Sequence, residues 1–106
     1  MTVCMVIDTD TASDDAVALA MALRHPGVEV VAVTTVAGNC PVEQSTRNAL
    51  YTAELCGVDV PVYQGAAAPL VVDARFATWF HGQDGLGDQG YPPRNRRRSP
   101  PTRRRR

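Results

Sequence analysis

No run of about 18 or more apolar residues occurs in this chain of 106, so no segment is expected to cross a membrane as a helix. Met1 to Ile7 carries no basic segment and runs directly into acids, which argues against a secretory signal. The three cysteines, Cys4, Cys40 and Cys56, are an odd number with no C-x-x-C spacing. Neither a disulfide framework nor a zinc site is expected from them, and free thiols point to a reducing, cytoplasmic setting. Lysine is absent, and all eleven basic residues are arginines.

Those arginines are unevenly placed. Residues 1–93 hold three (Arg24, Arg47, Arg75) against all eleven acids, a balance of −8, whereas residues 94–106 hold eight and no acid. The formal neutrality of the chain therefore hides an acidic body and a basic tail. With 44% hydrophobic residues the body can build a core, but at this length only one domain, with a modest stability margin, is expected.

Val3 to Ile7 (VCMVI) reads as a short buried strand ended by Asp8. Thr11 to Asp14 fits the [ST]-x-x-[DE] pattern, in which a hydroxyl and a carboxylate satisfy the first free N–H groups of a helix. The Ala-rich run from Asp14 to His25 then reads as a helix covered on both flanks, stopped by Pro26-Gly27. A second strand is expected over Val28 to Val36, rich in β-branched residues, and a turn over Ala37 to Cys40. Pro41 suits the first position of a helix reaching Cys56 and capped by Gly57, and a third strand is expected over Val60 to Gln64. Short links between alternating strands and helices imply an α/β architecture: a truncated, Rossmann-like open parallel sheet, β-α-β-α-β. A complete eight-stranded barrel does not fit this length.

The sequence DTDTASDD, residues 8–15, places Asp8, Asp10, Asp14 and Asp15 where the first strand hands over to the first helix. Ligands of open parallel sheets bind at this carboxyl edge. Acids at a helix N-terminus also complement its dipole, which is explanation enough for Asp14 and Asp15 but not for Asp8 and Asp10. Carboxylates this close raise one another's pKa unless a cation joins them, and no arginine lies within eight residues of the cluster. A hard divalent ion is the economical counter-charge, and oxygen donors with no neighbouring His or Cys favour Ca²⁺ or Mg²⁺. Asn39, in the turn after the second strand, falls near these acids if the two strands are neighbours.

Three segments together, DTDTASDDAVAL (8–19), TTVAGNCPVEQSTRNAL (34–50) and HGQDGLGD (81–88), resemble the inosine-uridine-preferring nucleoside hydrolases. The resemblance implies hydrolysis of the N-glycosidic bond of a small ribonucleoside to ribose and free base, with Ca²⁺ as cofactor. It implies Asp10 and Asp15 as metal ligands and Asp10 also as general base. Asp14 and Asn39 would hold ribose hydroxyls, Asp8 would support the site from the strand end, and His81 would lie in a loop folded over the ligand. Ala12 stands where many members of that family carry Gly. Later segments of the family supply a further metal-binding Asp and a His that assists the leaving base, and these have no counterpart in this chain.

Residues 1–90 are thus expected to be the N-terminal part of such a domain, and 91–106, YPPRNRRRSPPTRRRR, a disordered Pro/Arg-rich tail. Arginine clusters attract phosphates, but with Tyr91 alone for stacking no specific nucleic-acid binding is expected. A homo-oligomer is compatible with the pattern. Two rival readings remain: an inactive fragment or non-catalytic binding module, and a haloacid-dehalogenase-like phosphatase suggested by the strand followed by D-x-D. The latter pattern wants Thr at Ala12 and does not account for Asp14-Asp15.

Overall fold

The computed structural model describes residues 1–91; the basic tail from residue 92 lies outside the described residues. Six elements follow in order: β1 (Val3–Thr9), α1 (Ser13–Arg24), β2 (Val28–Thr35), α2 (Val42–Leu55), β3 (Val62–Gln64) and the single turn α3 (Thr78–His81). The strands form one parallel sheet in the order β1-β2-β3. The expected β-α-β-α-β architecture is what the chain adopts.

The register explains where the core sits. Ile7 pairs with Val33, and Val33 with Val62, so one row of branched side chains runs across the sheet. Leu19 from α1 and Ala49 and Ala53 from α2 close over Val33 and Val62, with Val60 completing the buried cluster. Alanine at 49 and 53, one turn apart, lets the α2 backbone approach the strands closely. Gly57, at φ +67°, ends α2 in the left-handed conformation that L side chains resist, and its N–H is bonded to the Glu54 carbonyl.

Two local expectations change. The helix cap lies one residue later than the Thr11–Asp14 pattern suggests: Ala12 is the N-cap, and the Asp15 carboxylate accepts the Ala12 N–H at 3.4 Å. Thr11 is buried instead, and its own N–H is taken by the Thr9 hydroxyl at 3.1 Å. The α1 helix is also covered on one flank only. Leu19 and Leu23, four residues apart, face the core, while Val17 and Met21 on the adjacent line stay exposed at 61% and 69%. The face of the sheet turned away from the helices is likewise open at Cys4, Val6 and Asp8, and β1 is an edge strand. Among the described residues no helix is long and apolar enough to cross a membrane.

Candidate active site at the carboxyl edge of the sheet

Parallel strands bring the chain back to one edge at the end of β1, β2 and β3, and the turns leaving β1 and β2 meet there. The turn after β1 is held from below by hydroxyls. Thr11 Oγ1 donates to Thr9 Oγ1 at 3.4 Å, and Ser45 Oγ from α2 donates to the Thr9 carbonyl at 3.3 Å. Buried polar groups without partners are costly, so this network fixes the backbone on either side of Asp10.

Asp10 is thereby aimed across to the second turn, where Asn39 N–H donates to its Oδ2 at 2.8 Å. Gly38 makes that approach possible, since a Cβ there would collide with the Asp10 carboxylate. The Asp10 and Asp15 carboxyls lie where a proton on one would bond the other. Burial, followed by the bond to Asp10, pushes the Asp15 carboxyl up to about 6. The same bond, helped by the Asn39 N–H and opposed by burial, holds Asp10 below the ordinary carboxylate range. Of the two, Asp10 is the more readily ionised.

The other expected residues divide into two groups. Asn39 joins Asp10 through its main chain; among the described residues its carboxamide makes no hydrogen bond. His81, at the end of α3, reaches the start of α1, where its Nδ1 and Ser13 Oγ are 2.9 Å apart, beside the exposed Asp14. Asp8 is not brought to the pair: it lies on the open face of the sheet, accepting the Thr34 hydroxyl at 2.7 Å.

Two buried residues escape a reading of motifs. Cys40 donates through Sγ to the carbonyls of Asp10 and Thr11, at 3.5 and 3.7 Å, and burial followed by the Asp10 charge pushes its thiol up to about 11. It is a structural thiol, not a nucleophile. Asn48 of α2 donates to the carbonyls of Thr11 and Asp84. The available signal was its place in the segment 34–50 that carries the family resemblance.

Among the described residues no group of three or more His, Cys, Asp or Glu side chains is arranged to hold a metal. The Asp10–Asp15 pair nevertheless suits a hard cation: two partly buried carboxylates whose joint ionisation a positive charge between them would favour. They would contribute part of the six to eight oxygens such an ion takes.

The model of the inosine-uridine preferring nucleoside hydrolase family matches residues 5–105. Uridine nucleosidase 1 of Arabidopsis thaliana is 43% identical over 97 residues, covering 90% of this chain and 29% of the relative. The non-specific ribonucleoside hydrolase RihC of Escherichia coli is 45% identical over 91 residues, covering 86% of this chain and 30% of the relative. A plant nucleoside hydrolase structure superposes with a TM-score of 0.85 at 37% identity, covering 92% of this chain and 32% of that one. An inosine-guanosine nucleoside hydrolase gives 0.80 at 38%, covering 90% and 28%. The chain spans less than a third of the length of each of these proteins. With a family match running almost end to end and the paired acids at the expected sheet edge, this chain belongs to the inosine-uridine preferring nucleoside hydrolases.

Proposed function

We propose that this chain carries the ribose-facing carboxylate half of a Ca²⁺-dependent ribonucleoside hydrolase centre, acting on a small nucleoside in the cytoplasm. The observation that supports it best is the Asp10–Asp15 pair, held at the carboxyl edge of a parallel sheet by the Asn39 N–H. Asp10 and Asp15 would hold the ion. Bound there, Ca²⁺ supplies Lewis acidity toward water and an anchor for sugar hydroxyls.

The chain's own residues account for the remaining chemistry of this half. Departure of the base leaves oxocarbenium character on the sugar, and fixed carboxylates beside the ring stabilise that charge. Asp10, held at the sheet edge by the Asn39 N–H, would accept a proton from the attacking water. Asp14, exposed at the start of α1, and the Asn39 carboxamide hold ribose hydroxyls. His81 approaches from the Gly-rich loop over Ser13, and Asp8 supports the end of β1 through Thr34.

Incubation with inosine or uridine, with base release followed by chromatography, tests the reading. Free base and ribose are expected, and Asp10→Ala should lower the rate at least about 100-fold, the scale of lost general-base assistance. Base release undiminished in Asp10→Ala would contradict the assignment, as would phosphate release from a phosphomonoester. A second, non-catalytic reading is favoured by one observation: among the described residues no group of three or more His, Cys, Asp or Glu side chains is assembled to hold a metal. It predicts Ca²⁺-dependent ribose binding without base release.

A further inference from the structure

Asn48 sits in the middle of α2 with 3% of its surface exposed, and each polar atom of its amide is used. Nδ2 donates to the Thr11 carbonyl at 2.9 Å and to the Asp84 carbonyl at 2.7 Å. Oδ1 accepts from Gln44 Nε2 at 2.9 Å, and the two carbonyl acceptors fix which way the amide faces. Its two acceptors belong to segments far apart in sequence. Thr11 follows Asp10 directly and precedes Ala12, whose N–H is bound to Asp15. Asp84 is the centre of the Gly-rich loop.

That loop is knotted by its own carboxylates. Asp84 Oδ1 accepts the N–H groups of Leu86 and Asp88, Asp88 Oδ1 accepts those of Gln83 and Asp84, and Gly87 N–H returns to the His81 carbonyl at 2.7 Å. A displacement at Asp84 is therefore passed to His81. The loop also closes tightly on the amide: Gly85, at φ +75°, would place a Cβ 3.1 Å from Asn48 Nδ2 and 3.2 Å from Cys40 Sγ. Only glycine fits both the conformation and the space.

We propose that Asn48 is a positioning residue that locks the turn bearing Asp10 to the loop bearing His81, so that the two walls of the site hold one spacing. The geometry of this coupling stands on the hydrogen bonds alone; its consequence for the metal rests on the function proposed above. Removal of the amide leaves the part-buried Asp84 carbonyl without this donor and the buried Thr11 carbonyl with only the weak Cys40 thiol.

Amide hydrogen exchange followed by NMR tests it in the metal-free chain. In Asn48→Ala, exchange should quicken about tenfold, the scale of a lost buried hydrogen bond, at Leu86 and Asp88 in the loop and at Ala12 and Asn39, whose N–H groups bind Asp15 and Asp10. The Val33 amide in β2 should exchange as in the parent. Loosening of one segment without the other, or of neither, overturns the proposal. If Asn48→Ala does not fold, Asn48→Ser, whose short hydroxyl cannot reach both carbonyls, decides the matter by the same criterion. A Ca²⁺ titration adds a second readout: the dissociation constant of Asn48→Ala should rise about tenfold, as for lost support behind metal ligands. An unchanged constant overturns the coupling to the metal. A parent that takes up no Ca²⁺ is a failure of the functional reading and leaves the exchange pattern to decide the role of Asn48.

Discussion

At Gly38 a single methyl group would meet the Asp10 carboxylate, so Gly38→Ala must either displace the second turn or swing Asp10 away from Asn39. Overpacking of this kind costs about 1–3 kcal/mol. A lowered melting temperature and a weakened response to Ca²⁺ are the expected results. The cysteines offer a chemical check on burial. Cys4 is exposed, whereas Cys40 is enclosed and its thiol is pushed up to about 11. With iodoacetamide at about pH 8, peptide mass analysis should find Cys4 modified well before Cys40. The acid pair predicts a pH response. Because the folded-state pKa of Asp15 lies near 6, above its ordinary value of 3.8, the native chain holds an extra proton between those values. In the metal-free chain this contribution to stability is therefore present at low pH and lost as pH rises through about 6. Saturating Ca²⁺ should stabilise the chain more at about pH 7 than at about pH 5, read as a larger shift in melting temperature. The crowding of acids was legible from DTDTASDD. The family resemblance named Asp10 and Asp15, but not how the turn after β1 is pinned, because Ser45 reaches Thr9 and Thr11 across 36 and 34 residues.

The order and type of the main elements were legible because hydrophobic period and punctuation agree: Pro26-Gly27 after α1, Pro41 before α2 and Gly57 after it. The cap of α1 shifted because Thr11, which matches the capping pattern, is drawn into the core by Thr9 and Ser45. The short α3 was not legible, since four residues give no period to read. Coverage of α1 was overestimated: its apolar composition satisfies two flanks, and only the Leu19–Leu23 line is packed among the described residues. Leu19→Ala should accordingly cost about 2–5 kcal/mol, as for a core leucine, while Met21→Ala should change stability by less than about 0.5 kcal/mol. Urea unfolding of the two variants makes the comparison. A large loss in Met21→Ala would show that the outer flank of α1 is covered in solution.

As a whole molecule, the chain superposes on 32% of a plant nucleoside hydrolase while leaving β1 at the sheet edge and Val6 and Val31 exposed. Apolar edge strands of this kind invite pairing with other chains. The separation of an acidic body from an arginine-rich tail was legible in the sequence, as was the membership of a nucleoside hydrolase family. The joining of the His81 loop to the acid turn by Asn48 was not, because it is a relation among three segments that only the folded chain brings together. The function proposed for the molecule requires that Asp10 and Asp15 accept a hard cation between them. Calorimetric titration of Ca²⁺ into the parent chain and into Asp10→Asn at about pH 7.5 measures this directly. Saturable heat at one site in the parent, lost or weakened at least about tenfold in Asp10→Asn, is the predicted result. No heat up to millimolar Ca²⁺, or equal heat in the two proteins, would contradict it.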